Sequence, residues 1–132
     1  MSTRKILLVD DHALVHSGIR AILDARYLIC GEAENGQQAI EMAELLKPDL
    51  ILMDVSMPVI GGIEATRQIR RLLPNTRIFI LSMHEGVHIA ASARSAGADG
   101  SISETAKVVD LLAAIDELLS AEPKGVTLRA AD

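Results

Sequence analysis

Ile6-Leu7-Leu8-Val9-Asp10-Asp11 and Leu50-Ile51-Leu52-Met53-Asp54 are the stretches that fix the architecture of this chain. Each is a run of four apolar residues that passes straight into carboxylates. A short run that is apolar at every position marks a strand covered on both faces, the situation of a parallel sheet. If two such strands are parallel neighbours, their last residues leave the core at the same edge, and ligands of open α/β sheets bind at that carboxyl edge. Asp10, Asp11 and Asp54 then share one crevice. Carboxylates so close repel one another, and a cation or a proton-sharing arrangement offsets the repulsion. Mg2+ suits the place, because it takes one or two carboxylates directly, keeps several waters and bridges to phosphate oxygens. The outline is that of a phosphoryl-transfer site.

Outward from these strands, apolar runs alternate with helical patterns. Val15, Ile19, Ile22 and Leu23 recur at helical spacing, Tyr27 to Gly31 reads as a strand, and Gln37 to Leu46 as a helix stopped by Pro48. Leu50 to Asp54 is the third strand, Gly62 to Leu73 a helix ending at Pro74, and Arg77 to Ser82 the fourth strand. Val87 to Ala96 forms an alanine-rich helix closed by Gly97, Gly100 to Ser103 a last strand, and about Lys107 to Ser120 a final helix. Five βα units predict an α/β fold, a doubly wound five-stranded parallel sheet. Order 2-1-3-4-5 sets strands one and three side by side at the switch point, as the acids require.

At 132 residues the chain fits one domain, and 49% apolar residues give it a core. Its net charge of −5 leaves no basic surplus for nucleic acid. Arg67, Arg70, Arg71 and Arg77 cluster in sequence, and amid net acidity they read as a solvated face. Cys30, the only cysteine, has no intrachain partner and reads as a small core hydrophobe, in keeping with a reducing compartment. No run approaches a membrane span and the N-terminus lacks a signal peptide, so a cytoplasmic location is expected. His12, His16 and His88 have no ligand-like spacing, so zinc is not suggested.

The acid pair Asp10-Asp11, the Asp54-Val55-Ser56-Met57-Pro58 turn, Gly61-Gly62, Ile80-Leu81-Ser82 and Ala96-Gly97-Ala98-Asp99-Gly100 together resemble the receiver domain of bacterial two-component response regulators. The likeness covers about residues 4 to 120 and has the flavour of the NarL/FixJ subfamily. It implies the flavodoxin-like receiver fold, with Asp54 as phosphoacceptor whose carboxylate forms an acyl phosphate. It also implies Mg2+ held by Asp11 and Asp54 directly, by Asp10 through water and by the backbone carbonyl of Ser56. Ser82 matches the hydroxyl that closes on the phosphoryl oxygens, while Ser56 and His84 fall where family members tune hydrolysis. Such a domain assists its own phosphorylation and dephosphorylation without being a turnover enzyme. Its partner would be a sensor histidine kinase.

Two positions depart from the family pattern. Counting from Gly97-Ala98-Asp99-Gly100, the switch aromatic is Ser101 and the lysine three residues later is Glu104. Unit charges about 4 Å apart at an effective dielectric near 20 interact by about 4 kcal/mol, so the inverted sign at position 104 acts strongly on a phosphoryl group. Lys107, three residues further, is better placed in the first turn of the last helix than as a substitute. Ser101 has no ring to move, so acceptance of a phosphoryl group and its transmission are separate matters.

Val108, Leu111, Leu112, Ile115, Leu118 and Leu119 form the core stripe of the final helix, which Val109 widens enough to suggest homodimerisation through this helix. Residues 1–120 make up the receiver. Residues 121–132 begin with Ala121-Glu122-Pro123-Lys124-Gly125 and resemble the linker that in NarL/FixJ regulators leads to a helix-turn-helix DNA-binding domain. The sequence fits equally a receiver cut from a longer protein and a stand-alone module. Three functions stand: a phosphoacceptor signalling domain, a pseudo-receiver that acts by interaction alone, and an Mg2+-dependent phosphohydrolase. The last lacks the second acid two residues beyond its nucleophile, where Ser56 stands.

Overall fold

β1 (Lys5–Val9), β2 (Leu28–Ala33), β3 (Leu50–Asp54), β4 (Arg77–Ser82) and β5 (Gly100–Ser103) form one parallel sheet of order β2-β1-β3-β4-β5. The structure is a computed structural model and describes residues 4–10, 20–54, 61–82, 87–103 and 108–120, with backbone alone at 82, 87–90, 103, 108 and 109. Among these residues the helices are α1 (residues 20–24), α2 (Gly36–Leu46), α3 (Gly62–Leu72), α4 (Val87–Ala96) and α5 (Val108–Ser120). The doubly wound order expected from the acid-tipped strands is the order found.

The two-residue alternation of a strand divides the apolar runs between two cores. Leu7, Val9, Ile51, Met53, Ile78 and Ile80 pack with Ala39, Ile40 and Ala43 of α2, Ala65 and Ile69 of α3 and Ala93 of α4. Ile6, Leu8, Leu50, Leu52, Phe79 and Leu81 face the other way, onto Leu23 of α1 and Leu111, Ile115 and Leu119 of α5. In α5 the expected stripe is present at Leu111, Ile115 and Leu119, with Leu112 and Leu118 partly buried; the side chains of Val108 and Val109 lie outside the described residues. Val15 and Ile19 lie outside them as well.

Local chemistry explains the element ends. Asn35 caps α2 by accepting the Gln38 N–H at 2.9 Å, and Lys47 turns left-handed before Pro48. α3 stops at Leu72, one residue short of the expected Leu73, because a residue before proline is disfavoured in helix geometry. α4 closes in a Schellman motif: Gly97 (φ +111°) donates to Arg94 O at 3.0 Å and Ala98 to Ala93 O at 2.9 Å. β2 departs most from expectation, running on through Glu32 to Ala33. Its register to β1 slips between Ile6 and Leu7, so that Ile29 opposes Ile6 but Gly31 opposes Leu7. Cys30 is the extra residue of a β-bulge. Glu32, beyond the expected end of the strand at Gly31, is accommodated on this edge strand by an ion pair with Arg20 of α1.

Candidate functional site at the carboxyl edge of the sheet

β1 and β3 pair in strict register from Ile6 with Leu50 to Val9 with Met53. One more step sets Asp10 beside Asp54, on strands about 4.8 Å apart. Alternation puts both on the face of Ile6, Leu8, Leu50 and Leu52. The backbone fixes them: the Asp10 N–H donates to Ala33 O at 3.0 Å, extending the ladder to β2, while Asp54 is the last paired residue of β3, opposite Leu81. Asp10 is 3% exposed and Asp54 0%. Burial to that depth strips both carboxylates of bulk water and magnifies their mutual electrostatics.

Two adjacent carboxylates at a sheet edge fit what Mg2+ asks of a protein, one or two direct oxygen ligands with water completing the octahedron. No group of three or more His, Cys, Asp or Glu arranged to hold a metal occurs among the described residues. Asp11, the third acid expected here, lies outside them, as do Ser56, His84 and Glu104. Ser82 ends β4, paired with Ser103 of β5 one step beyond the Asp54–Leu81 pair, so its backbone sits at the same edge as the acids. Ser101 pairs with Ile80 and its side chain is exposed. The edge thus brings together Asp10, Asp54 and the backbone of Ser82, with Ser101 further down β5.

A family model described as "Response regulator receiver domain" matches residues 6–116. The chain belongs to that family. Among curated relatives, the response regulator UvrY of Escherichia coli K12 is 40% identical over 119 residues, which cover 89% of this chain and 55% of that protein. The nitrate/nitrite response regulator NarL of the same strain is 35% identical over 119 residues, with the same coverage. The receiver spans about half the length of these relatives. A two-component response regulator of the LuxR family from Aurantimonas sp. SI85-9A1 superposes with a TM-score of 0.87 at 36% identity, covering 92% of this chain and 89% of that one. The receiver domain of the response regulator NarL from Mycobacterium tuberculosis gives 0.86 at 26%, covering 92% and 100%. The receiver is therefore a regulatory module of the NarL/LuxR kind, and no helix among its described residues is long and apolar enough to cross a membrane.

The opposite edge of the receiver holds what sequence reading missed. Arg70 and Arg77 are not part of a solvated face. Arg70 leaves α3 and donates from Nε to Gly97 O at 2.9 Å, from Nη1 to Pro74 O and Thr76 O at 2.7 Å each, and from Nη2 to Asp99 Oδ2 at 2.7 Å. Asp99 also accepts the Ile78 N–H at 2.8 Å, so one ion pair ties α3, the start of β4, the end of α4 and the start of β5. Arg77 is buried and donates to Leu118 O of α5 at 2.9 Å. A signal existed for Arg70: it continues the row Gly62–Thr66–Arg70 at i, i+4, and the first two members are buried. The charge count along the chain hid it. Arg67 and Arg71 do face solvent, Arg67 pairing with Glu64.

Proposed function

We propose that this receiver accepts a phosphoryl group from a sensor histidine kinase on Asp54, in the presence of Mg2+, and so regulates an attached or partner output. The observation that carries the reading is the pair of buried carboxylates, Asp10 and Asp54, on adjacent strands at the carboxyl edge of a receiver fold. Asp54 attacks phosphorus through a carboxylate oxygen, forming the C–O–P bond of an acyl phosphate as the N–P bond to the donor histidine breaks. Asp11 and Asp54 directly, Asp10 through water and the carbonyl of Ser56 would hold Mg2+, which when bound spreads the negative charge of the transferring group. The Ser82 hydroxyl would close on the phosphoryl oxygens, and Ser56 and His84 would set the lifetime of the adduct. Residues 1–120 would form the receiver and 121–132 the start of a linker. By analogy with regulators of its kind, the output would be a DNA-binding domain controlling transcription in the cytoplasm, and self-association would run through α5.

A second reading, a pseudo-receiver that works through binding alone, is favoured by Ser101 and Glu104, which replace the aromatic and the lysine of the family pattern. Intact-mass spectrometry after incubation with acetyl phosphate and Mg2+ separates the two. The phosphoacceptor reading expects a single phosphoryl adduct on the parent, lost in Asp54→Ala. An unmodified parent would overturn it in favour of the pseudo-receiver. Glu104→Lys should raise the yield or lifetime of the adduct.

A further inference from the structure

The three strands that end at the proposed site also begin together. β1 leads to Asp10 and is preceded by Arg4, β3 ends at Asp54 and is preceded by Asp49, and β4 runs from Arg77 to Ser82. Arg4, Asp49 and Arg77 line one cavity of about 560 Å3 at the amino edge of the sheet, whose wall includes Leu119 and Ser120 at the end of α5. That last turn of α5 has no basic residue of its own, so its terminal carbonyls are satisfied from elsewhere. Arg4 Nη2 donates to Leu119 O at 3.0 Å and Arg77 Nε to Leu118 O at 2.9 Å. Asp49 binds the strand starts to one another: its Oδ2 accepts the Lys5 N–H at 2.7 Å and its carbonyl accepts the Arg77 N–H at 3.1 Å.

We infer that this cluster is a relay, with Arg4 and Arg77 as positioning residues that pass a shift of β1, β3 or β4 at the phosphorylated edge to the last turn of α5. The inference rests on the phosphoacceptor reading. β4 covers the distance in five steps of about 3.3 Å, about 16 Å of strand in which every residue pairs with β3, with β5 or with both. The route needs neither a ring at position 101 nor a lysine at position 104, the two features this chain lacks. The two-state element that coupling requires is the last turn of α5, held by the arginines or released. Released, it changes where and in which direction the chain leaves the domain.

The test is amide hydrogen exchange at Leu118, Leu119 and Ser120, with and without acetyl phosphate and Mg2+, on the parent, Arg77→Met, Arg77→Lys and Arg4→Met. Adduct mass is recorded on every sample. Arg4 is half exposed, so Arg4→Met keeps the test available should Arg77→Met not fold. In the parent, loading should change exchange at these amides by about tenfold, within the coupling usual between linked sites. In Arg4→Met and Arg77→Met the adduct should form equally while the loaded-to-unloaded ratio falls towards one, and Arg77→Lys should restore part of it. A parent that loads without changing exchange there, or variants that keep the full ratio, would overturn the relay and leave the phosphoacceptor reading intact. A parent that takes no adduct would overturn both.

Discussion

Removing the Arg70 guanidinium should destabilise the receiver more than any other single change to a partly exposed side chain of α3. In Arg70→Met the aliphatic stem is kept and the donors are lost. Pro74 is exposed, so water replaces the bond to its carbonyl. Thr76 is buried, Gly97 is half-buried and the Asp99 side chain is 6% exposed, so these three acceptors lose partners that water only partly replaces. At about 1 kcal/mol for each of these, the cost is about 3 kcal/mol. That lies at the low end for breaking a buried ion pair, as befits an arginine still 18% exposed. For a domain of this size it corresponds to a fall in Tm of roughly 10 °C. Asp99→Asn should cost less, about 1 to 2 kcal/mol, because an amide oxygen still accepts the Ile78 N–H. Urea denaturation followed by circular dichroism measures both, and the double variant gives a coupling of about 1 kcal/mol or more. Arg71→Met, one residue on and exposed, serves as a control and should stay within about 0.5 kcal/mol of the parent. A loss below about 1 kcal/mol for Arg70→Met, or a coupling of zero, would refute the reasoning.

Two further outcomes follow from the packing. Gly97→Ala should cost about 2 to 3 kcal/mol in the same denaturation assay, since its φ of +111° strains an L residue and the new Cβ would lie 2.8 Å from Arg70 Cγ, inside the clasp. Gly31→Ala should cost less, because the closest atom, Met42 Cε at 2.6 Å, is the flexible end of a thioether. Cys30 should alkylate with iodoacetamide more slowly at pH 8 than a free thiol such as glutathione, with its rate rising only at higher pH. Burial pushes its pKa above the ordinary thiol value, so the reactive thiolate is scarcer. A rate equal to that of glutathione would contradict this.

The strands of the core were legible because burial on both faces leaves an unmistakable mark: Leu50 to Asp54 and Arg77 to Ser82 have the bounds their residues announce. Asp10 and Asp54 were legible for a related reason, as charges at the exact close of apolar runs have few structural explanations. β2 was less so. Its alternation breaks at Cys30, and a bulge depends on the partner strand, which a local pattern does not contain. Arg70 and Arg77 were misread because charge predicts exposure only when no buried acceptor awaits, and their acceptors are mostly backbone carbonyls 2 to 41 residues away. Tyr27, expected as the first residue of β2, lies just before it, and its hydroxyl donates to Asp116 of α5, 89 residues on.

The bulge has a consequence for how this chain is aligned with others. Ile29 belongs to the α5-side core and Ala33 to the opposite one, although residues four apart in a regular strand share a face. Cys30 supplies the missing half-period. A β2 without it would pair Ile29 with Ile6 and Gly31 with Leu7 as before, in an unbroken ladder. β2 is thus spelled with one letter more than its pairing uses, and a relative one residue shorter at this point would keep the same sheet.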